Sequence, residues 1–163
     1  MERGLIQVYS GEGHGKSAAA LGTALQAAST GEDVVIIHFL KGNRNEEFLK
    51  RMEPEIKIFC FEKSEEEFSQ LSQQEQQDEI GNIKNGLNFA KKVLTTGECS
   101  MLVLDEVLGL IDNGIITIDD LKHILEAKAD DVSIILTGIY LNDEICEIAD
   151  EIFKIDRIHS VSK

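Results

Sequence analysis

Apolar residues in this chain fall into short runs separated by longer amphipathic stretches, the pattern of strands alternating with helices. Leu5, Ile6, Val8 and Tyr9 make a short apolar alternation, read as a strand over 5–9. An Ala- and Leu-rich segment, 17–29, follows and stops before Gly31, as a helix does. Residues 33–40 are almost continuously apolar and rich in branched side chains, which predicts a strand buried on both faces. Further strands are expected at 56–61, 100–106, 132–138 and 151–155. A short helix over 46–52 is broken by Pro54. In the polar stretch 62–79, Ser64…Glu67 and Ser72…Glu75 both fit capping boxes, and Phe68 and Leu71 can pin a short helix to the body. From Ser72 a long helix runs to Gly97, with Ile80, Ile83, Leu87, Ala90 and Leu94 at core-facing spacing. Helices are also expected at 107–112, at 118–128 capped by Thr117, and at 143–149 capped by Asn142.

Between the first strand and the first helix lies Ser10-Gly11-Glu12-Gly13-His14-Gly15-Lys16-Ser17. Strand, glycine-rich loop, Gly-Lys-Ser and helix is the layout of a phosphate-binding loop. Gly11, Gly13 and Gly15 let successive N–H groups turn inward around an anion, and the helix directs its positive end at the same point. Lys16 adds a full charge, and Ser17 offers a hydroxyl to a magnesium ion shared with the phosphates. The usual pattern has glycine where this chain has Ser10; the flanking strand and helix supply the context the motif requires. The competing reading is a flexible turn with an exposed lysine.

A second place carries chemistry. The apolar run 100–104 leads into Asp105-Glu106, a buried strand delivering carboxylates to a sheet edge, where such an acid holds magnesium directly or through water. Lys41 and Arg44 follow the second strand, at the edge where α/β sheets bind ligands; ordinary solvated loop charge explains them equally well. The alternation of strands and helices then predicts an α/β, P-loop NTPase-like three-layer sandwich with a mainly parallel sheet of about six strands.

Composition changes this picture little. At 163 residues and 42% apolar, with one proline, the chain reads as a single nucleotide-binding domain over 1–163. A net charge of −14 opposes general nucleic-acid binding but not a nucleotide held in one cationic nest. No apolar run approaches membrane-spanning length, and Met1-Glu2-Arg3-Gly4 does not open a signal peptide. Cys60, Cys99 and Cys146 are far apart, as are the four histidines, so free thiols in a reducing cytoplasm are expected and no zinc site.

The order Gly-x-Gly-x-Gly-Lys-Ser, Ala-Leu-Gly-x-Ala, Phe39-Leu40-Lys41-Gly42, Leu104-Asp105-Glu106, Leu136-Thr137-Gly138 and Ile148-Ala149-Asp150 resembles the P-loop type of ATP:corrinoid adenosyltransferase along nearly the whole chain. Those enzymes act on cob(I)alamin or cob(I)yrinic acid a,c-diamide. The resemblance implies ATP and a reduced corrinoid as substrates, Mg2+, transfer of the 5′-deoxyadenosyl group with release of triphosphate, and a homodimer. It implies that Lys16, with the loop residues Gly11, Glu12, Gly13, His14, Gly15, Ser17 and Ala18, and Lys41 beyond the second strand, would bind the nucleotide. Ser17 and Glu106 would hold magnesium, with Asp105 directly or through water; Lys16 and Glu106 would be the catalytic residues.

Three positions depart from the family pattern. His14 stands where the family has lysine, and Ile139 where it has the arginine of Thr-Gly-Arg. Phe61-Glu62-Lys63-Ser64 replaces Gly-Phe-Thr-Trp, leaving Phe59, Phe61 or Phe68 as candidate corrin-packing rings. The family's tail beyond the last strand is also shortened, ending at Lys163. Two other functions remain open on the residues alone: a P-loop ATPase or phosphotransferase, and a non-catalytic ATP-binding sensor or partner protein.

Overall fold

A computed structural model of the chain describes residues 3–13, 15–40 and 49–161. Among the described residues six strands form one sheet: β1 (Ile6–Ser10), β2 (Val34–His38), β3 (Ile56–Cys60), β4 (Met101–Asp105), β5 (Ser133–Gly138) and β6 (Glu151–Lys154). Their spatial order is β3-β2-β4-β5-β1-β6, and every pairing among the described residues is parallel. The expected α/β sandwich is therefore borne out, with the sheet fully parallel.

Alternation along the strands sorts side chains between two layers. Val34, Ile36, Met101, Val103 and Ile135 point to one face, against Ala20, Ala24 and Ala27 of α1 (Gly15–Ser29). Alanines at this contact let the helix approach the sheet closely. Val35, Ile37, Leu102, Leu104, Ile134 and Leu136 point to the other face. There they meet α2 (Gln73–Thr96), α3 (Val107–Asp112), α4 (Ile118–Glu126) and α5 (Asp143–Ile148) through Ile83, Leu87, Leu110, Leu121, Leu125 and Ile145. β6 is an exposed edge strand paired only to β1 among the described residues.

The predicted stop and start signals act as expected at α2. Ser72 Oγ accepts from Glu75 N at 3.2 Å, and Gly97, at φ 70°, ends the helix. Ser64…Glu67 does not cap a helix: Ser64 Oγ accepts from Glu66 N within a turn, and only a 3-10 turn, Phe68–Gln70, follows. Leu71 is buried and Phe68 packs on the core, so they do pin this segment. Of the expected helix at 46–52, only the 3-10 turn Leu49–Met52 lies within the described residues. The apolar run 33–40 leaves the sheet early, because Phe39 and Leu40 lie beyond β2 and Leu40 turns to φ 65°.

Candidate nucleotide site

The carboxyl ends of β1, β2, β4 and β5 bring the sequence motifs together. Gly11 (φ 130°) and Gly13 (φ 83°) hold backbone angles that disfavour other residues, and Gly15 opens α1. Ala18 is exposed on the first turn of that helix, and Glu12 is exposed in the loop. Lys16 folds back into the protein with 4% exposure. Its Nζ donates to the Gly13 carbonyl at 2.9 Å and pairs with Glu106 Oε1 at 2.7 Å. His14, Lys41 and Arg44 lie outside the described residues.

Asp105 is the centre of the opposite wall. Parallel register sets His38 beside Asp105, so both side chains leave the same face of adjacent strands. Asp105 Oδ1 accepts from Ser17 Oγ at 2.8 Å and from Thr137 Oγ1 at 2.7 Å, and Oδ2 faces His38 Nδ1 at 2.8 Å. Thr137 in turn accepts from Glu106 N at 2.7 Å. That bond anchors Glu106 at φ 64°, a left-handed angle rare for a glutamate, and turns its carboxylate from the strand toward Lys16. The two acids therefore separate: Asp105 meets the loop serine, and Glu106 meets the loop lysine.

The donor set suits a hard cation. Ser17 Oγ and the Asp105 carboxylate are oxygen ligands of the kind magnesium takes, completed by substrate phosphates and water. Among the described residues no group of three or more His, Cys, Asp or Glu is placed to hold a metal by itself.

Beside the loop lies a cavity of about 800 Å³, lined by Gly11, Glu12 and Gly13, by Ile139 and Tyr140 after β5, and by Lys154, Asp156, Arg157 and Ile158 after β6. Its size lies in the ordinary range for small-molecule sites. Sequence reasoning missed His38, Thr137 and this second wall. The signal for His38 was present, a polar residue ending a buried apolar strand; the wall is made by distant segments and has no local signature. The candidate corrin-packing rings Phe59, Phe61 and Phe68 are partly buried against the core. Phe59 and Phe61 pack with Phe89 of α2, at centroid distances of 4.7 and 5.5 Å, and Phe68 rests on the same core.

Comparison with known proteins finds relatives along nearly the whole chain. The chain is 27% identical over 154 residues to the corrinoid adenosyltransferase of Escherichia coli K12, covering 93% of this chain and 76% of that one. Against the corrinoid adenosyltransferase of Pseudomonas aeruginosa it is 26% identical over 165 residues, covering 99% and 79%. A crystal structure of the KaiC-like protein PH0186 from Pyrococcus horikoshii OT3 superposes with a TM-score of 0.60 at 18% identity, over 99% of this chain and 76% of that one, a likeness of fold alone. Residues 2–163 match the model of the family described as ATP:corrinoid adenosyltransferase BtuR/CobO/CobP. The chain belongs to the ATP:corrinoid adenosyltransferase family.

Proposed function

We propose that this protein, a single nucleotide-binding domain, transfers the 5′-deoxyadenosyl group of ATP to the reduced cobalt of a corrinoid and releases triphosphate. The observation that carries this reading is the continuous family match over residues 2–163, in a chain whose loop, lysine and strand-end acids converge on one edge of the sheet. In the transfer, the electron pair of cobalt(I) forms the cobalt–carbon bond to C5′. The C5′–oxygen bond breaks and its pair leaves with triphosphate, so cobalt is oxidised by two electrons. The protein supplies no nucleophile; its work is positioning and stabilising the leaving group's charge.

The residues divide this work. The amides from Gly11 to Ser17 and the Lys16 ammonium hold the phosphate chain, and binding moves Lys16 from Glu106 and the Gly13 carbonyl onto phosphate. Magnesium, when bound, neutralises the triphosphate; Ser17 Oγ would hold it, Asp105 would orient that hydroxyl, and the Glu106 carboxylate released from Lys16 would join it. His38 and Thr137 fix Asp105 in place. His14, Ala18 and Lys41 complete the nucleotide contacts in this proposal.

The proposal extends to a homodimer, as the resemblance implies, and to the cytoplasm. Among the described residues no helix is long and apolar enough to cross a membrane. The products discriminate this reaction from hydrolysis. Phosphorus NMR of ATP consumed with reduced corrinoid should show triphosphate; ADP with inorganic phosphate would make the protein an ATPase instead.

A further inference from the structure

The segment after β6 is built onto the phosphate-binding loop. Ser10 Oγ donates to the Phe153 carbonyl at 3.2 Å, and Ile155 N donates to the Ser10 carbonyl at 2.8 Å. A Cβ on Gly11 would lie 2.1 Å from the Ile155 carbonyl oxygen, and one on Gly15 would lie 2.8 Å from Ile155 Cγ2. Two loop glycines therefore leave room for one residue of the tail segment, and Ser10, in place of the usual glycine, ties to the strand before it. The loop and residues 153–155 form one packed unit.

That unit fixes where the next residues go. Arg157, two positions beyond Ile155, lines the cavity whose floor is Gly11, Glu12 and Gly13. Lys154, on the same wall, is turned to Asp156 at 3.7 Å. Arg157 is exposed and has no ion-pair partner among the described residues. Ile139, across the cavity, brings only an aliphatic chain, and Glu12 adds negative charge at the floor. A polyphosphate laid on this loop meets net repulsion from a chain of charge −14 unless local cations offset it. A guanidinium is the side chain best shaped to do so, with two parallel N–H donors for phosphate oxygens.

We propose that Arg157 is a nucleotide-binding residue, contacting the phosphate chain from the β6 side of the loop. This rests on the nucleotide reading of the loop but not on adenosyl transfer. The test is titration calorimetry with ATP and, separately, inorganic triphosphate. Arg157→Ala should weaken both at least tenfold, and Arg157→Lys should recover part of the loss. Because Arg157 is exposed, both variants should melt at the parent's temperature.

Unchanged ATP affinity in Arg157→Ala overturns the proposal. So does a loss for ATP with none for inorganic triphosphate, which would put the guanidinium on the nucleoside. Failure of the unaltered protein to bind ATP would overturn the nucleotide reading as well. Binding as described, without transfer to corrinoid, would sink the adenosyltransferase reading and leave Arg157 in its role.

Discussion

Lys16 Nζ lies 2.7 Å from Glu106 Oε1, both side chains mostly withdrawn from water. In the proposed function Lys16 is the phosphate-binding cation, so nucleotide must displace the acid that holds it. Removing Lys16 deletes a charged hydrogen bond to phosphate worth about 1.5–3 kcal/mol, so Lys16→Ala should bind ATP roughly ten- to hundredfold more weakly. Glu106→Gln removes the competing charge. In the absence of magnesium it should bind ATP more tightly than the parent, on the order of three- to tenfold, and added magnesium should shrink that advantage. Calorimetry with and without chelator checks both; a Glu106→Gln variant that binds magnesium-free ATP more weakly would refute the displacement.

Thr137 is fully buried, donating to Asp105 and accepting from the strained Glu106 amide. Valine has the same shape and neither bond. Thr137→Val should cost about 2–4 kcal/mol in urea unfolding, since two buried polar groups lose a partner at about 1–3 kcal/mol each. Thr137→Ser keeps the hydroxyl and should cost only about 1 kcal/mol for the lost methyl. Equal losses for the two variants would show that packing rather than hydrogen bonding matters there.

Two glycines of the loop should respond differently to alanine. At Gly13 a Cβ meets nothing within 4 Å among the described residues, so the cost there is the left-handed backbone angle, about 1–2 kcal/mol. At Gly11 the same Cβ would also strike the Ile155 carbonyl oxygen. Gly11→Ala should therefore be the more destabilising in a melting experiment and should also lower ATP affinity. The reverse order would mean that the β6 tail does not buttress the loop.

Glu62 gives the stability a pH dependence. Burial pushes its carboxyl from the ordinary 4.5 up to about 7; the hydrogen bond from Leu40 N, at 2.7 Å, opposes the shift and nearby Glu79 adds to it. Between these values the folded chain holds a proton that the unfolded chain has released, so stability falls as pH rises from 4.5 to about 7 and then levels off. Glu62→Gln keeps an acceptor for Leu40 N and cannot ionise. Its advantage over the parent should grow across that window in urea titrations; a constant difference would contradict the assignment.

Local chemistry made much of this legible. Val34 to Ile37 and Leu102 to Leu104 announce buried strands by composition, and Ser72 and Gly97 mark the ends of α2 by their capping chemistry. The glycine spacing and Asp105-Glu106 mark the candidate site because each is a contiguous stretch of chain. What was not legible depends on contacts across the chain. Nothing near Glu106 in sequence says that Thr137, on another strand, holds it at φ 64° and turns it to Lys16. Ser10 departs from the usual glycine, and nothing beside it in sequence announces the bond from its hydroxyl to the Phe153 carbonyl. Ser64 has the spacing of a cap, but turn formation with Glu66 takes its hydroxyl.

The central claim is transfer of an adenosyl group to cobalt. The direct measurement is anaerobic incubation of the protein with ATP, magnesium and chemically reduced corrinoid, followed by absorbance before and after illumination. The account predicts a light-sensitive cobalt–carbon product, formed with one triphosphate per cobalt and suppressed in Lys16→Ala. Folded, ATP-bound protein that yields no such product under full reduction would contradict it.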